Sequence, residues 1–226
     1  MKSILITGHK GTIGQTLFSG LQEHYHVTGA DLPEHDLTDY KEAIVLTEHQ
    51  HAVIYLAWNT NSENYSNGKY DVSNSLMFYN IYEAAFRNKV KRLIMASSIH
   101  AKDFYPNSSN SGIVSPDSVY GANKIFLEEL GKVYSRRGMD VTCVRFGGVN
   151  LSDSIDLTEF LFEKIWLSKR DCNNLIAACL DAPVVAGRFQ LINAVSDNPE
   201  KLHDCSNAVG WNPVDNSAKQ LTLTAV

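Results

Sequence analysis

The feature that most constrains this chain is its alternation of short apolar, β-branched runs with longer amphipathic stretches. Runs at 3–7 (SILIT), 26–30 (HVTGA), 52–57 (AVIYLA), 92–96 (RLIMA) and 141–146 (VTCVRF) read as strands. The stretches 12–24, 39–49, 72–88 and 116–137 read as helices. Strand–helix–strand units cross over right-handed and stack into a parallel sheet covered on both faces. Runs such as AVIYLA and RLIMA, apolar without alternation, suit strands buried on both faces. The pattern predicts an α/β fold, a doubly wound parallel sheet over residues 1–150. Residues 151–226 are expected to form a small substrate-side subdomain plus the last sheet strand. There 158–167 and 171–180 read as helices, 184–194 as strand material, and the tail as polar chain. The segment 105–118, rich in Ser, Asn, Pro and Gly, reads as an active-site loop.

Bulk properties narrow the partners. A net charge of −5 over 226 residues gives no basic footprint, so neither nucleic acid nor an anionic membrane is expected to bind. The first residues run straight into a strand, without the pattern of a signal peptide. No apolar run approaches the ~20 residues of a membrane helix. The four cysteines are scattered, with no CxxC pair and no metal-ligand spacing. Reduced thiols, no metal and a cytoplasmic location are the expectation.

Chemistry first appears in TGHKGTIG, between the first strand and first helix. Gly8, Gly11 and Gly14 permit a tight turn, close approach of backbone to a pyrophosphate, and close helix–strand packing. With Lys10, Thr12 and Ile13 they aim a helix N-terminus at an anion. Asp31, followed by Leu32, ends the second strand, where a carboxylate can bond both ribose hydroxyls and repel a 2′-phosphate. No Arg or Lys follows it closely, so NAD is expected over NADP. Asp36-Leu37 offers a second acidic position near an adenine. These features define a Rossmann fold.

Tyr120 and Lys124, four residues apart on the helix that Ser115-Pro116 is expected to open, share one face. An ammonium there is expected to lower the tyrosine's pKa towards working pH, as a proton-transferring phenol requires. Ser98, closing the fourth strand, stands at the carboxyl edge of the sheet, where ligands bind in such folds.

The glycine loop, Asp31, Asp36-Leu37, Leu56-Ala57, VSNSLMFYNIYEAA, VKRLIMASS and SVYGANK together resemble the extended short-chain dehydrogenase/reductase superfamily, the NAD-dependent epimerase/dehydratase family. The resemblance implies that Ser98, Tyr120 and Lys124 are the catalytic trio and that Asn74 supports a proton-relay water. It implies that Phe146 and Gly147 pass the nicotinamide. Among members, the chain looks most like the short, uronate dehydrogenase-like ones. SSIHAKDFYP resembles their serine-X-histidine loop, which implies substrate contacts at Ser98, Ile99, His100, Tyr120 and Gly148. Three departures stand out: Ile99 replaces Asn, Gly148 replaces Ser, and no Arg occurs in the segment 150–159. Lys164, Lys169 or Arg170 could take over a carboxylate only if the chain folds back over the pocket. Trp58 stands where small residues are usual and is expected to narrow the site.

The expected activity is NAD-dependent oxidation of a hydroxyl on a small sugar or sugar derivative, with Tyr120 as general base. A nucleotide-sugar epimerase or dehydratase is the alternative, and a non-enzymatic NAD sensor the alternative of another class. The resemblance also implies a homodimer through the helices 72–88 and 116–137, where Leu76, Phe78, Tyr79, Tyr82, Phe126, Leu130 and Val133 give excess apolar surface.

Overall fold

The computed structural model describes residues 1–101 and 116–224. Six strands form one parallel sheet: β1 (Ser3–Thr7), β2 (His26–Ala30), β3 (Ala52–Tyr55), β4 (Arg92–Ser98), β5 (Asp140–Phe146) and β6 (Phe189–Ala194), in the order β2-β1-β3-β4-β5-β6. The helices are α1 (Thr12–Leu21), α2 (Tyr40–Thr47), α3 (Glu63–Ser66), α4 (Val72–Arg87), α5 (Val119–Arg136), α6 (Phe162–Ile165), α7 (Lys169–Asp181) and α8 (Ser217–Thr224). Successive strand residues point to opposite faces, and this divides the core. Ile4, Ile6, Ile54, Ile94 and Val144 face the layer holding α1 and α7. Leu5, Val53, Leu93, Met95 and Val141 face the layer holding α2, α4 and α5. The chain leaves β1 towards β2 and returns to β3 on the other side. The carboxyl ends of β1 and β3 therefore flank the crevice where doubly wound sheets take ligands.

From residue 151 onwards, β6 pairs with β5 in the same sheet and α7 packs against α1. Asp171, fully buried on α7, accepts from Ser196 Oγ and from the amides of Val214 and Asp215, tying the C-terminal chain to the core. The expected helix over 158–167 shrinks to the single turn of α6, preceded by Leu161 in the left-handed region (φ 58°). The tail, expected as polar chain, carries α8. Most of the expected loop at 105–118 lies outside the described residues. Its last three residues are described, and they correct the start of α5. Ser118, not Ser115, caps the helix by accepting from the Gly121 amide at 3.0 Å, and Pro116 precedes it.

Two buried ion clusters pin the sheet. Arg92 and Arg188 converge on Asp140. Arg145 grips Glu128 with two nitrogens, each at 2.7 Å, while Glu128 also accepts from Ser97 Oγ. The second cluster ties α5 to the ends of β4 and β5, directly beneath the candidate site. Among the described residues, no helix is long and apolar enough to cross a membrane. The four cysteines are buried and unpaired.

Candidate active site

The glycine loop is built for close approach. Gly8 has φ +71°, and a Cβ there would lie 2.7 Å from the Ala57 amide nitrogen. At Gly14 a Cβ would meet the Gly8 carbonyl oxygen at 2.1 Å, so only glycine lets α1 begin this close to β1. Gly11 caps α1 without a side-chain bond, leaving the first amides of the helix for an anion. Asp31 is held by two backbone amides, Lys10 N on Oδ2 and Leu32 N on Oδ1, both at 2.9 Å. Each carboxylate oxygen retains a lone pair for a hydroxyl donor. The cradle and the donor set fit a dinucleotide.

The cleft continues past Gly8, Gly11, Thr12, Ile13 and Gly14 to Leu56, Ala96, Phe146 and Gly147, and ends on Ser98, Tyr120 and Lys124. A small pocket beside it gathers Asp31, Leu32, Leu37, Ala57 and Trp58. Asp36 does not reach either cavity. It accepts from the Thr38 amide and hydroxyl, a local loop cap. Lys10 corrects the expectation that no base stands near Asp31. Its ammonium crosses to the Leu32 carbonyl and to Glu34 at 2.6 Å, because the tight turn folds the glycine loop over the end of β2. Pairing with Lys10 lowers the Glu34 carboxyl below its ordinary range.

Beyond Tyr120 a larger cavity of about 820 Å³ is lined by Ser98, His100, Asp117, Tyr120, Asn74, Gly147 and Gly148, with Trp58, Tyr65, Lys69, Glu159 and Phe162. Ser98, at the end of β4, stands beside the Tyr120 phenol and accepts from the His100 amide at 3.3 Å. His100 pairs through Nδ1 with Asp117 at 2.7 Å, and its ring lies 6.1 Å from that of Tyr120. Asn74 accepts from the Asn59 amide and donates to the Asn59 carbonyl, so its side chain braces the chain after β3. Ile99 does not join the pocket, because the short 3₁₀ turn after β4 buries it in the core. Gly148 has a spatial reason to lack a side chain: a Cβ there would lie 2.5 Å from the Phe162 ring. Glu159 belongs to the acidic stretch that replaces the expected Arg, whereas no sequence motif marks Phe162, Tyr65 and Asp117. They arrive from turns whose spacing carries no motif. None of Lys164, Lys169 and Arg170 faces the pocket. They bond Glu200, the Leu151 carbonyl and Asp215.

The electrostatics depart from expectation. Lys124 sits one turn from Tyr120, its Nζ 5.4 Å from the phenol ring centroid and bonded to the Ala96 carbonyl at 2.9 Å. Burial removes its water and brings its pKa down to about 7. Burial likewise pushes Tyr120 up to about 12, against the opposing pull of the Ser98 hydroxyl. The expected lowering of the phenol by the ammonium is thus absent in the free protein. A lysine this poorly hydrated holds its proton less firmly than usual and does little to favour a phenolate beside it.

Comparisons with known proteins agree with this architecture. The L-arabinose 1-dehydrogenase (NAD(P)(+)) of Haloferax volcanii is 29% identical over 251 residues, spanning 96% of this chain and 98% of that protein. A solved structure of a mutated uronate dehydrogenase superposes with a TM-score of 0.83 at 27% identity, over 98% of this chain and 85% of that one. The uronate dehydrogenase of Agrobacterium tumefaciens, solved as a mutant complexed with NAD, shares the fold with a TM-score of 0.86 at 24% identity, over 100% and 89% of the two chains. The model of the NAD dependent epimerase/dehydratase family matches residues 4–150. This chain therefore belongs to the NAD dependent epimerase/dehydratase family.

Proposed function

We propose that the protein is an NAD-dependent dehydrogenase that oxidises a hydroxyl of a small, neutral sugar. The observation that carries this is the cleft that runs from the glycine loop to Ser98, Tyr120 and Lys124, with the Asp31 pocket beside it and a larger pocket opening beyond Tyr120. The near full-length similarity to an L-arabinose 1-dehydrogenase supports the substrate class.

In this reading Gly8, Gly11 and Gly14 admit the pyrophosphate, Asp31 bonds the adenosine ribose, and Lys124 bonds the ribose next to the nicotinamide. The cofactor supplies the hydride acceptor. Ser98 holds the sugar hydroxyl against Tyr120, and the hydroxyl proton passes to Tyr120 Oη as the C–H bond is broken. Tyr120 can serve as base only once positive charge stands beside it, which requires Lys124 to become fully protonated as ligand hydroxyls replace its apolar surroundings. Asn74 keeps the loop after β3 in register with this group. His100, oriented by Asp117, contacts the sugar.

A neutral substrate follows from the pocket's charges. Glu159 and Asp117 line it, and the basic residues downstream are paired elsewhere. Lys69 stands at its exposed rim. A carboxylate leaving water needs a charged, preferably bidentate partner, and among the described residues the floor of this pocket offers none.

Two further parts of the reading concern the whole molecule. Leu76 and Tyr79 on α4, with Phe126 and Val133 on α5, are between 42 and 46% exposed, and such a stripe suits a two-fold helix interface. Phe78 and Tyr82 do not contribute, being fully buried in the core, and Leu130 is partly buried. The four buried free cysteines suit the cytoplasm.

The test is a panel of neutral aldoses, uronates and sugar phosphates offered with NAD. One NADH per sugar oxidised, fastest with a neutral aldose, is expected. An epimerised sugar with no net NADH would replace this reading with the epimerase one. Uronate turnover equal to that of the best aldose would overturn the neutral-substrate assignment.

A further inference from the structure

Trp58 lies where three cavities meet. It borders the small pocket with Asp31, the cofactor cleft with Lys124, and the substrate cavity with Tyr120. Its indole face covers the Lys124 ammonium at 3.8 Å from the ring centroid, and its edge meets Tyr120 at 5.2 Å and 84°. Lys124 consequently borders the cleft yet is only 3% exposed. Whatever bonds its Nζ from the cleft side must take the indole's place. The ring is held weakly enough to yield. Its Nε1–H is buried without a hydrogen-bond partner, so packing and the cation are its anchors, and the substrate cavity adjoining it has room for a turned side chain.

We propose that Trp58 is a positioning residue for Lys124: its indole caps the ammonium in the free protein and must turn off it before the ribose next to the nicotinamide can bond there. This rests on the reading that the cleft takes NAD. Apparent cofactor affinity is then reduced by the fraction of molecules in which the cap is open. The phenol and the ammonium become a working pair only after the indole has moved. The wall between cofactor cleft and substrate cavity is thus a movable side chain, and cofactor entry reshapes the pocket that receives the sugar.

The test uses ADP-ribose, which carries both riboses and no nicotinamide, so that stacking on a nicotinamide ring plays no part. Tryptophan emission is quenched with acrylamide in the natural protein and in Trp58→Phe, and the difference isolates Trp58. Trp166 and Trp211, 2% and 4% exposed in the core, are internal controls. Saturating ADP-ribose is expected to raise the accessibility of Trp58 at least twofold, because the ring turns out into the open cavity. A fall or no change while the ligand is bound overturns the proposal, since a fixed wall is covered by what binds against it. Calorimetry with Trp58→Ala gives a second reading. A cap in place nine-tenths of the time predicts roughly tenfold tighter ADP-ribose binding once it is removed. Equal or weaker binding overturns the cap. Failure of the natural protein and of Trp58→Ala alike to bind ADP-ribose or NAD would instead sink the cofactor reading, and the proposal with it.

Discussion

Replacing Lys124 with Met should stabilise the protein at neutral and acid pH, and the gain should vanish in alkali. Burial brings the ammonium from 10.5 to about 7. At 1.36 kcal/mol per unit, that places a penalty of about 5 kcal/mol on folding with the charge. That figure is net of whatever the Ala96 carbonyl and the Trp58 face return to the charge. Methionine keeps the apolar stem and sheds the penalty, so a gain of up to about 5 kcal/mol is expected at pH 6. The folded pKa is depressed, so the unfolded chain binds the extra proton between about pH 7 and 10.5. Below pH 7 both states carry the proton and the whole penalty is present. As pH rises through that window the natural protein sheds its proton on folding and gains stability. Urea denaturation of both proteins from pH 6 to 10 reads this directly, because all other titrations cancel in the difference. The gap between variant and natural protein should shift by about 4 kcal/mol in favour of the natural protein. Parallel curves would refute the claim that Lys124 is folded as a desolvated amine of lowered pKa.

Three further outcomes follow from named contacts. Glu128→Ala strands the buried Arg145 guanidinium and should cost about 3–5 kcal/mol by urea denaturation; a loss under about 1 kcal/mol would mean that the cluster beneath the site is not structural. Asp31→Ala should weaken NAD and strengthen NADP, since it removes the carboxylate and leaves Lys10 close by; titration calorimetry showing an unchanged ratio would contradict the ribose assignment. Light scattering at micromolar concentration should give a dimer, and Phe126→Glu, on the exposed stripe of α5, a monomer; a natural protein that stays monomeric as concentration rises would refute the interface.

The sheet was legible because buried parallel strands leave apolar runs, as β1, β3 and β4 do; β2, an edge strand with His26 and Thr28 exposed, carries the weakest such signal. The grouping of Ser98, Tyr120 and Lys124 was legible because a four-residue spacing puts Tyr120 and Lys124 on one helix face, and a strand end puts Ser98 in the same cleft. What the sequence hid was three-dimensional. The start of α5 was displaced because Ser115-Pro116 satisfies local capping rules as well as Ser118 does, and nothing local reveals that Gly121 must pass the His100 carbonyl, where a Cβ would lie at 2.1 Å. Lys10 and Asp31 are far apart in sequence and meet only across the loop, so no local pattern shows them as neighbours. Spacing reports proximity, which predicts a lowered Tyr120 pKa, and burial outweighs it. Trp58 could be seen to narrow the site, but its seat over Lys124 depends on how the loop after β3 is braced by Asn74.

The central claim is that Tyr120 accepts the sugar's proton in a cleft that holds NAD, and Tyr120→Phe tests it most directly. The variant keeps the ring that packs against Trp58 and Tyr65 and removes only the oxygen. With the best sugar of the panel and saturating NAD, its rate of NADH formation should fall by about 10²–10⁴-fold, the range for general acid–base groups. NAD affinity, measured separately, should stay within about threefold of the natural protein, a small shift of the kind expected where only packing is touched. Retention of more than about a tenth of the rate, above what losing such a group allows, would contradict the assignment of Tyr120 as the base.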